Sequence, residues 1–220
     1  WMSTLRPHRD DDIPHHPRAS RVVRRLVDGH RGVQRVRSIR PVHRDQQDVL
    51  GSNPLNPFFS VQTDAVRIRG FEVEVRGNIS RELQVIGAYT KTDPVVSKSI
   101  AGNVGNYVYG VPLDQASLWA KYTWFDGPLA GLGLGAGVRH VGESYGDAGN
   151  TFVIPSYTLL DAAISYDFGY LRPNLKGWSA QVTATNLANK YYVGSCLTGL
   201  AYCGLGMSRT ILGTLKYAWN

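Results

Sequence analysis

Apolar and polar side chains alternate with a period of two along most of this chain, starting near residue 61. In FEVEVRGNI, Phe71, Val73, Val75, Gly77 and Ile79 are apolar or small, and Glu72, Glu74, Arg76 and Asn78 between them are polar. Successive side chains of a strand point to opposite faces, so such a run has one apolar face and one wet face. The pattern returns in residues 83–90, 117–124, 132–139, 160–168, 178–185 and 210–219. Ile86 and Trp119 break it, because each is apolar in a polar phase. An all-β, antiparallel fold is expected, with seven strands and residues 47–50 as the stub of an eighth.

Alternation also describes a soluble β-sandwich binding protein. Three features favour strands that cross a membrane. Each run approaches the roughly 9–11 residues that a tilted strand needs to span a bilayer. Aromatic residues gather at the ends of the apolar faces, as in Tyr89, Tyr122, Trp124, Tyr166, Phe168, Trp178, Tyr217 and Trp219. Interfacial girdles have this arrangement. Short connections near 79–82, 126–130 and 169–176 alternate with long ones near 93–112, 142–156 and 188–206, as periplasmic turns and extracellular loops do. On this count the last strand ends on the short-turn, periplasmic side. A small autonomous outer-membrane barrel, porin or adhesin, would show the same signs.

Charge divides the chain in two. Residues 1–47 hold 11 Arg and 5 Asp with no Lys or Glu, and five of the six His. The remaining residues are nearly balanced, with 13 basic and 12 acidic, so the net charge of +7 comes mostly from the first fifth. An arginine-rich arm could neutralise phosphates. Beyond Trp1 it has no aromatic residue to stack on bases, and no partner is expected from nucleic acid. Its composition reads like translation of GC-rich DNA in a shifted frame. Residues 1–47 are therefore expected to be non-native or disordered, and residues 48–220 to form the barrel part. The opening residues carry charges where the apolar core of an export signal would stand, so the true start is expected upstream.

Chemistry is sparse. Cys196 and Cys203, with six residues between them, would close a small disulfide ring in an oxidising compartment. No metal site is expected from them. Asp161 and Asp167 share a strand face but sit about 20 Å apart at ~3.3 Å per residue, too far for paired acid–base work. GLGLGAG lies within a strand rather than at a strand-to-helix turn, so it is no phosphate loop. No enzyme is expected. Tyr107, Tyr109, Tyr145, Tyr191, Tyr192 and Tyr202 lie in the long connections and are the candidate ligand contacts. Rings suit the apolar faces of a ligand, and hydroxyls can donate hydrogen bonds to it.

Several stretches carry a family likeness. They are NPFFSVQT with RIRGFEVEVRG, GAYTKTD, LWAKYTW, GPLAGLGLGAGVRHVGESYGD, IPSYTLLDAAISYD, GWSAQVTATNLANKYYVGSC and SRTILGTLKYAW. Together they resemble the C-terminal barrel region of TonB-dependent siderophore receptors of the ferrichrome and ferrioxamine type. AGLGLGAGVRHVG and NLANKYYV are the most specific. The resemblance implies about seven or eight strands of a 22-stranded transmembrane barrel in the outer membrane of a Gram-negative bacterium. It further implies ferric siderophore as ligand, iron arriving already chelated with no cofactor, outer-membrane lipid around the wall, and energy from the TonB complex through a plug. The plug and about fourteen strands are not in this stretch, so alone it is expected to be inactive. The family's closing aromatic, read by the barrel-assembly machinery, would be Trp219, with Asn220 after it.

Overall fold

The computed structural model describes residues 23–27, 34–52, 60–197 and 202–219. Nine strands form one antiparallel sheet: β1 (Val23–Val27), β2 (Gln34–Ser52), β3 (Ser60–Asn78), β4 (Leu83–Lys98), β5 (Asp114–Thr123), β6 (Leu132–Val141), β9 (Tyr157–Asp167), β10 (Trp178–Thr185) and β13 (Thr210–Tyr217). Each neighbours the next in chain order, which is the up-and-down plan of a barrel wall. Two small ribbons, β7 (Ser144–Tyr145) with β8 (Val153–Ile154) and β11 (Val193–Leu197) with β12 (Tyr202–Leu205), sit inside the long connections.

Register keeps the apolar phase on one face from strand to strand. Val85, Ala120, Ala136, Ala162, Ala184 and Ile211 form one cross-strand row. Tyr122, Leu134, Ile164 and Val182 line the adjacent row. A slip of one residue would turn every one of these side chains to the opposite face, so the pattern itself specifies the pairing. That apolar face is bare: Leu118, Leu134, Leu160, Ile164, Val182 and Leu215 are between 44 and 64% exposed. Among the described residues, the buried apolar side chains include Val66, Val96, Ile154, Leu159, Cys196 and Pro94, none of them on the outward row. A sandwich would bury these faces against each other in a dry interior. A continuous exposed face of this kind is instead a surface made for lipid.

The sheet is open. Its two edges, β13 and the β1–β2 end, are not paired with each other among the described residues. Among the described residues, the small closed barrel considered above is not formed.

Pairing reaches further back than the stub expected at 47–50. β2 starts at Gln34 and runs antiparallel to β3 through a bulge near Gln46 and Val49. β1 pairs with its first five residues. Cross-strand partners explain why so irregular a sequence joins the sheet, since Ile39 lies opposite Val73 and Arg40 opposite Glu72. Among the described residues, β3 is the one strand paired with β2 at Pro41, the edge setting in which proline is tolerated. Residues 1–22 and 28–33 of the Arg-rich segment lie outside the described residues.

The two exceptions to the alternation belong together. Ile86 and Trp119 are direct cross-strand partners on the lumen face of β4 and β5. On the next strand Trp119 meets Gly137, and its ring occupies the space that Cβ atoms on Gly135 and Gly137 would need. Lys121 and Ser165 similarly cover Gly133. Gly133, Gly135 and Gly137 are thus the floor on which these larger side chains lie.

Candidate functional site

The long connections and the inward ends of β6 and β9 form one cluster, built from side chains that reach across distant segments. The connection at 99–113 continues the β4–β5 hairpin upward, with Val96 N–H donating to Asn106 O and Val108 N–H to Pro94 O. It is fastened to the connection at 142–156. Tyr107 N–H donates to Asn150 Oδ1 at 2.6 Å, Asn150 Nδ2 donates back to Tyr107 O at 3.0 Å, and Gly110 N–H donates to Tyr145 O at 2.7 Å. The rings of Tyr107 and Tyr145 stack with centroids 5.3 Å apart and planes 8° from parallel.

Asn150 has φ of 56°, a left-handed conformation that asparagine tolerates better than most residues. Its turn is organised by Asp147, whose carboxylate accepts from Phe152 N–H, Thr151 N–H and Oγ1, and Gly149 N–H. Those donors, the Phe152 amide foremost, hold the Asp147 carboxyl below the usual carboxylate range. The Tyr107 phenol is pushed above its ordinary value by the Asp93 charge first, then by partial burial and its hydrogen bond to Asp93. It therefore stays a neutral donor at neutral pH.

The third long connection, 186–209, carries a disulfide between Cys196 and Cys203, which face each other across β11 and β12. Cys196 packs under the neighbouring connection, close to Gly146. Tyr192 lies on Tyr157, with ring centroids 4.1 Å apart, and also covers Gly206. Below them Arg139 of β6 makes two hydrogen bonds to Asp161 of β9, Nε to Oδ2 at 2.5 Å and Nη2 to Oδ1 at 3.0 Å. The Arg139 side chain is 48% exposed and that of Asp161 10%, so the guanidinium opens to the lumen while the carboxylate is covered. A recess of about 270 Å³ lies beside them on the lumen wall, bordered by Thr90, Gln115, Ser117, Arg139, Tyr157 and Leu159.

Of the six tyrosines singled out in the sequence, Tyr107 and Tyr145 meet each other, and Tyr192 meets Tyr157. Tyr109 and Tyr191 stand exposed without an aromatic neighbour among the ring contacts described. The Tyr202 side chain lies outside the described residues. Tyr157, Arg139 and Asn186 were not singled out. Arg139 and Tyr157 share the wet phase of β6 and β9 at the long-loop end, and that phase is the signal that finds them. Among the described residues, no three His, Cys, Asp or Glu side chains are placed to hold a metal ion. Neutral phenols, hydroxyls and one open guanidinium suit an oxygen-rich ligand with apolar flanks.

Comparison with known proteins bears on this arrangement. Residues 43–187 match the family described as TonB dependent receptor-like, beta-barrel. The chain is 39% identical over 168 residues to the ferrichrome outer membrane transporter/phage receptor of Escherichia coli K12, covering 76% of this chain and 22% of that one. It is 38% identical over 171 residues to the ferrioxamine receptor of Yersinia enterocolitica, covering 78% of this chain and 23% of that one. Among solved structures, the siderophore receptor PiuA of Acinetobacter baumannii superposes with a TM-score of 0.64 over 84% of this chain and 26% of its own, at 22% identity, a likeness of fold. The chain thus spans between a fifth and about a quarter of the length of these relatives.

Proposed function

Because this chain belongs to the TonB-dependent receptor-like β-barrel family, we propose that it forms part of the wall and outer rim of a receptor that imports ferric siderophores across the outer membrane of a Gram-negative bacterium. The observation that carries this reading is the register-matched apolar face, exposed from β4 to β13, with a wet face behind it and the paired tyrosines Tyr107–Tyr145 and Tyr157–Tyr192 at the long-connection end. Relatives named for ferrichrome and ferrioxamine support a ligand of the ferric siderophore class. Such a ligand brings its iron already chelated, and the rim described above offers phenols and a guanidinium rather than metal ligands.

Backbone groups left unpaired in lipid cost several kcal/mol each, so the edges at β13 and at the β1–β2 end must be met by further strands. The wall works as part of a larger barrel, and energy from the TonB complex enters through parts of the receptor that its relatives' remaining length supplies. Alone, residues 48–220 should carry no siderophore. Outer-membrane lipid bathes the apolar face, and the barrel-assembly machinery inserts it. Residues 1–47 are assigned no part in this work, although β2 uses some of them as strand.

A chimera tests the reading. Residues 43–219 replace the matching stretch of the E. coli ferrichrome transporter in a strain lacking that transporter. The chimera is expected to enter the outer membrane and restore TonB-dependent ⁵⁵Fe uptake from ferrichrome or ferrioxamine B, whereas the isolated chain restores none. Full insertion with no uptake of either chelate would count against the receptor role. A chain that stays soluble without detergent would count against the membrane assignment as well.

A further inference from the structure

Asn186 is 2% exposed and has φ of 50°, and it stands where β10 gives way to the third long connection. Its backbone N–H donates to Asp161 Oδ1 at 2.9 Å, the carboxylate that Arg139 grips from the other side. Its side chain then reaches both limbs of the connection. Nδ2 donates to Lys190 O at 2.9 Å on the outgoing limb and to Met207 O at 3.0 Å on the returning limb, while Oδ1 accepts from Lys190 N–H at 2.8 Å. One amide thus uses both of its donors and its acceptor on backbone groups at opposite ends of the loop. Asparagine alone among the residues that tolerate a left-handed backbone offers two donors and an acceptor on so short a stem.

We propose that the Asn186 side chain, backed by the Arg139–Asp161 pair, is a latch that pins both limbs of the 186–209 connection to the lumen wall and holds Tyr192 over Tyr157. The latch makes the limbs of this connection, residues 186–197 and 202–209, a fixed part of the barrel rim rather than a moving lid. It also ties the rim to a group facing the lumen, because the guanidinium that steadies Asp161 is half exposed there. Releasing the amide frees Lys190 and Met207 together, and with them the turn that seats Tyr192.

The Lys190–Tyr191 peptide bond reports the latch. Both residues are exposed, so a protease can reach them, yet Lys190 N–H and C=O are both engaged by Asn186. Trypsin needs these backbone groups free and extended, so cleavage follows the fraction of time the latch is open. The measurement is the rate of trypsin cleavage after Lys190 in the barrel that holds this segment, in outer-membrane vesicles, read by mass spectrometry. Asn186→Asp keeps size and backbone preference but turns the two donations into repulsion between oxygens. It is expected to raise the rate at least tenfold. Arg139→Gln, which loosens Asp161, is expected to raise it less. Cleavage after Lys121, inside β5, is expected to stay at the parent rate in both. An unchanged rate after Lys190 in Asn186→Asp would overturn the proposal. So would an equal rise after Lys121, since Asn186 would then be supporting the whole sheet and not latching one loop.

Discussion

The substitution Ala162→Arg is expected to destabilise the inserted sheet by about 2–4 kcal/mol, the cost of a cation on the lipid face near mid-membrane, and Ala163→Arg is expected to cost little. The two residues are adjacent, of the same type and in the same strand. Ala162 belongs to the outward row with Ala136 and Ala184, midway between the aromatic ends of the strands. Ala163 faces the lumen, beside Gly135 and Thr183. Arginine there can extend into water, whereas at position 162 it must snorkel several residues' distance to an interface. Denaturant unfolding from bilayers of the barrel that holds this segment measures the difference. Equal losses at both positions would mean that the two faces do not see different solvents.

A second large effect is expected at the glycine floor. Gly137→Leu puts a branched side chain where the Trp119 ring now lies, and overpacking of this kind typically costs about 1–3 kcal/mol. The indole, forced off the wall into the lumen, should emit at longer wavelength. Adding Trp119→Ala should recover much of the lost stability, because leucine then fills the space the ring has left. Such recovery is the signature of two residues in direct contact. If Gly137→Leu and Trp119→Ala simply add, the ring and the glycine are independent and the description of the lumen wall above is wrong.

The two faces of the sheet could be read from the sequence because a period of two survives any detail of loop or ligand. Leu132, Leu134, Ala136 and Val138 declare the outward side of β6 by themselves. The start of β2 could not be read that way. Its phases mix Arg35 and Arg37 with Ile39 and Pro41, and what makes it strand is the partner it finds in β3. Ile86 and Trp119 were visible as exceptions, but their cause was not. For Trp119 it lies in Gly135 and Gly137 on the next strand, and only register brings them together.

Six tyrosines in the long connections stood out in the sequence as candidate contacts, yet pairing among them is a long-range matter. Tyr107 finds Tyr145, and Tyr192 finds Tyr157, through loop geometry held by Asn150 and Asn186. Nothing local to any tyrosine encodes that choice. Asp161 drew notice as half of a carboxylate pair, whereas its partners are a guanidinium one strand away and an amide 25 residues on.

Which solvent each face meets can be measured most directly with two single-cysteine variants, Ala162→Cys and Ala163→Cys, since the two native cysteines are joined to each other. In intact outer membranes, the thiol of the Ala163→Cys variant should react with a small water-soluble maleimide. The thiol of the Ala162→Cys variant should resist it, and a fluorophore placed there should be quenched by brominated lipid. If the thiol at position 162 takes the aqueous reagent, or a probe there escapes quenching while both sites are shielded from water, the apolar face is not turned toward lipid and the receptor-wall account is contradicted.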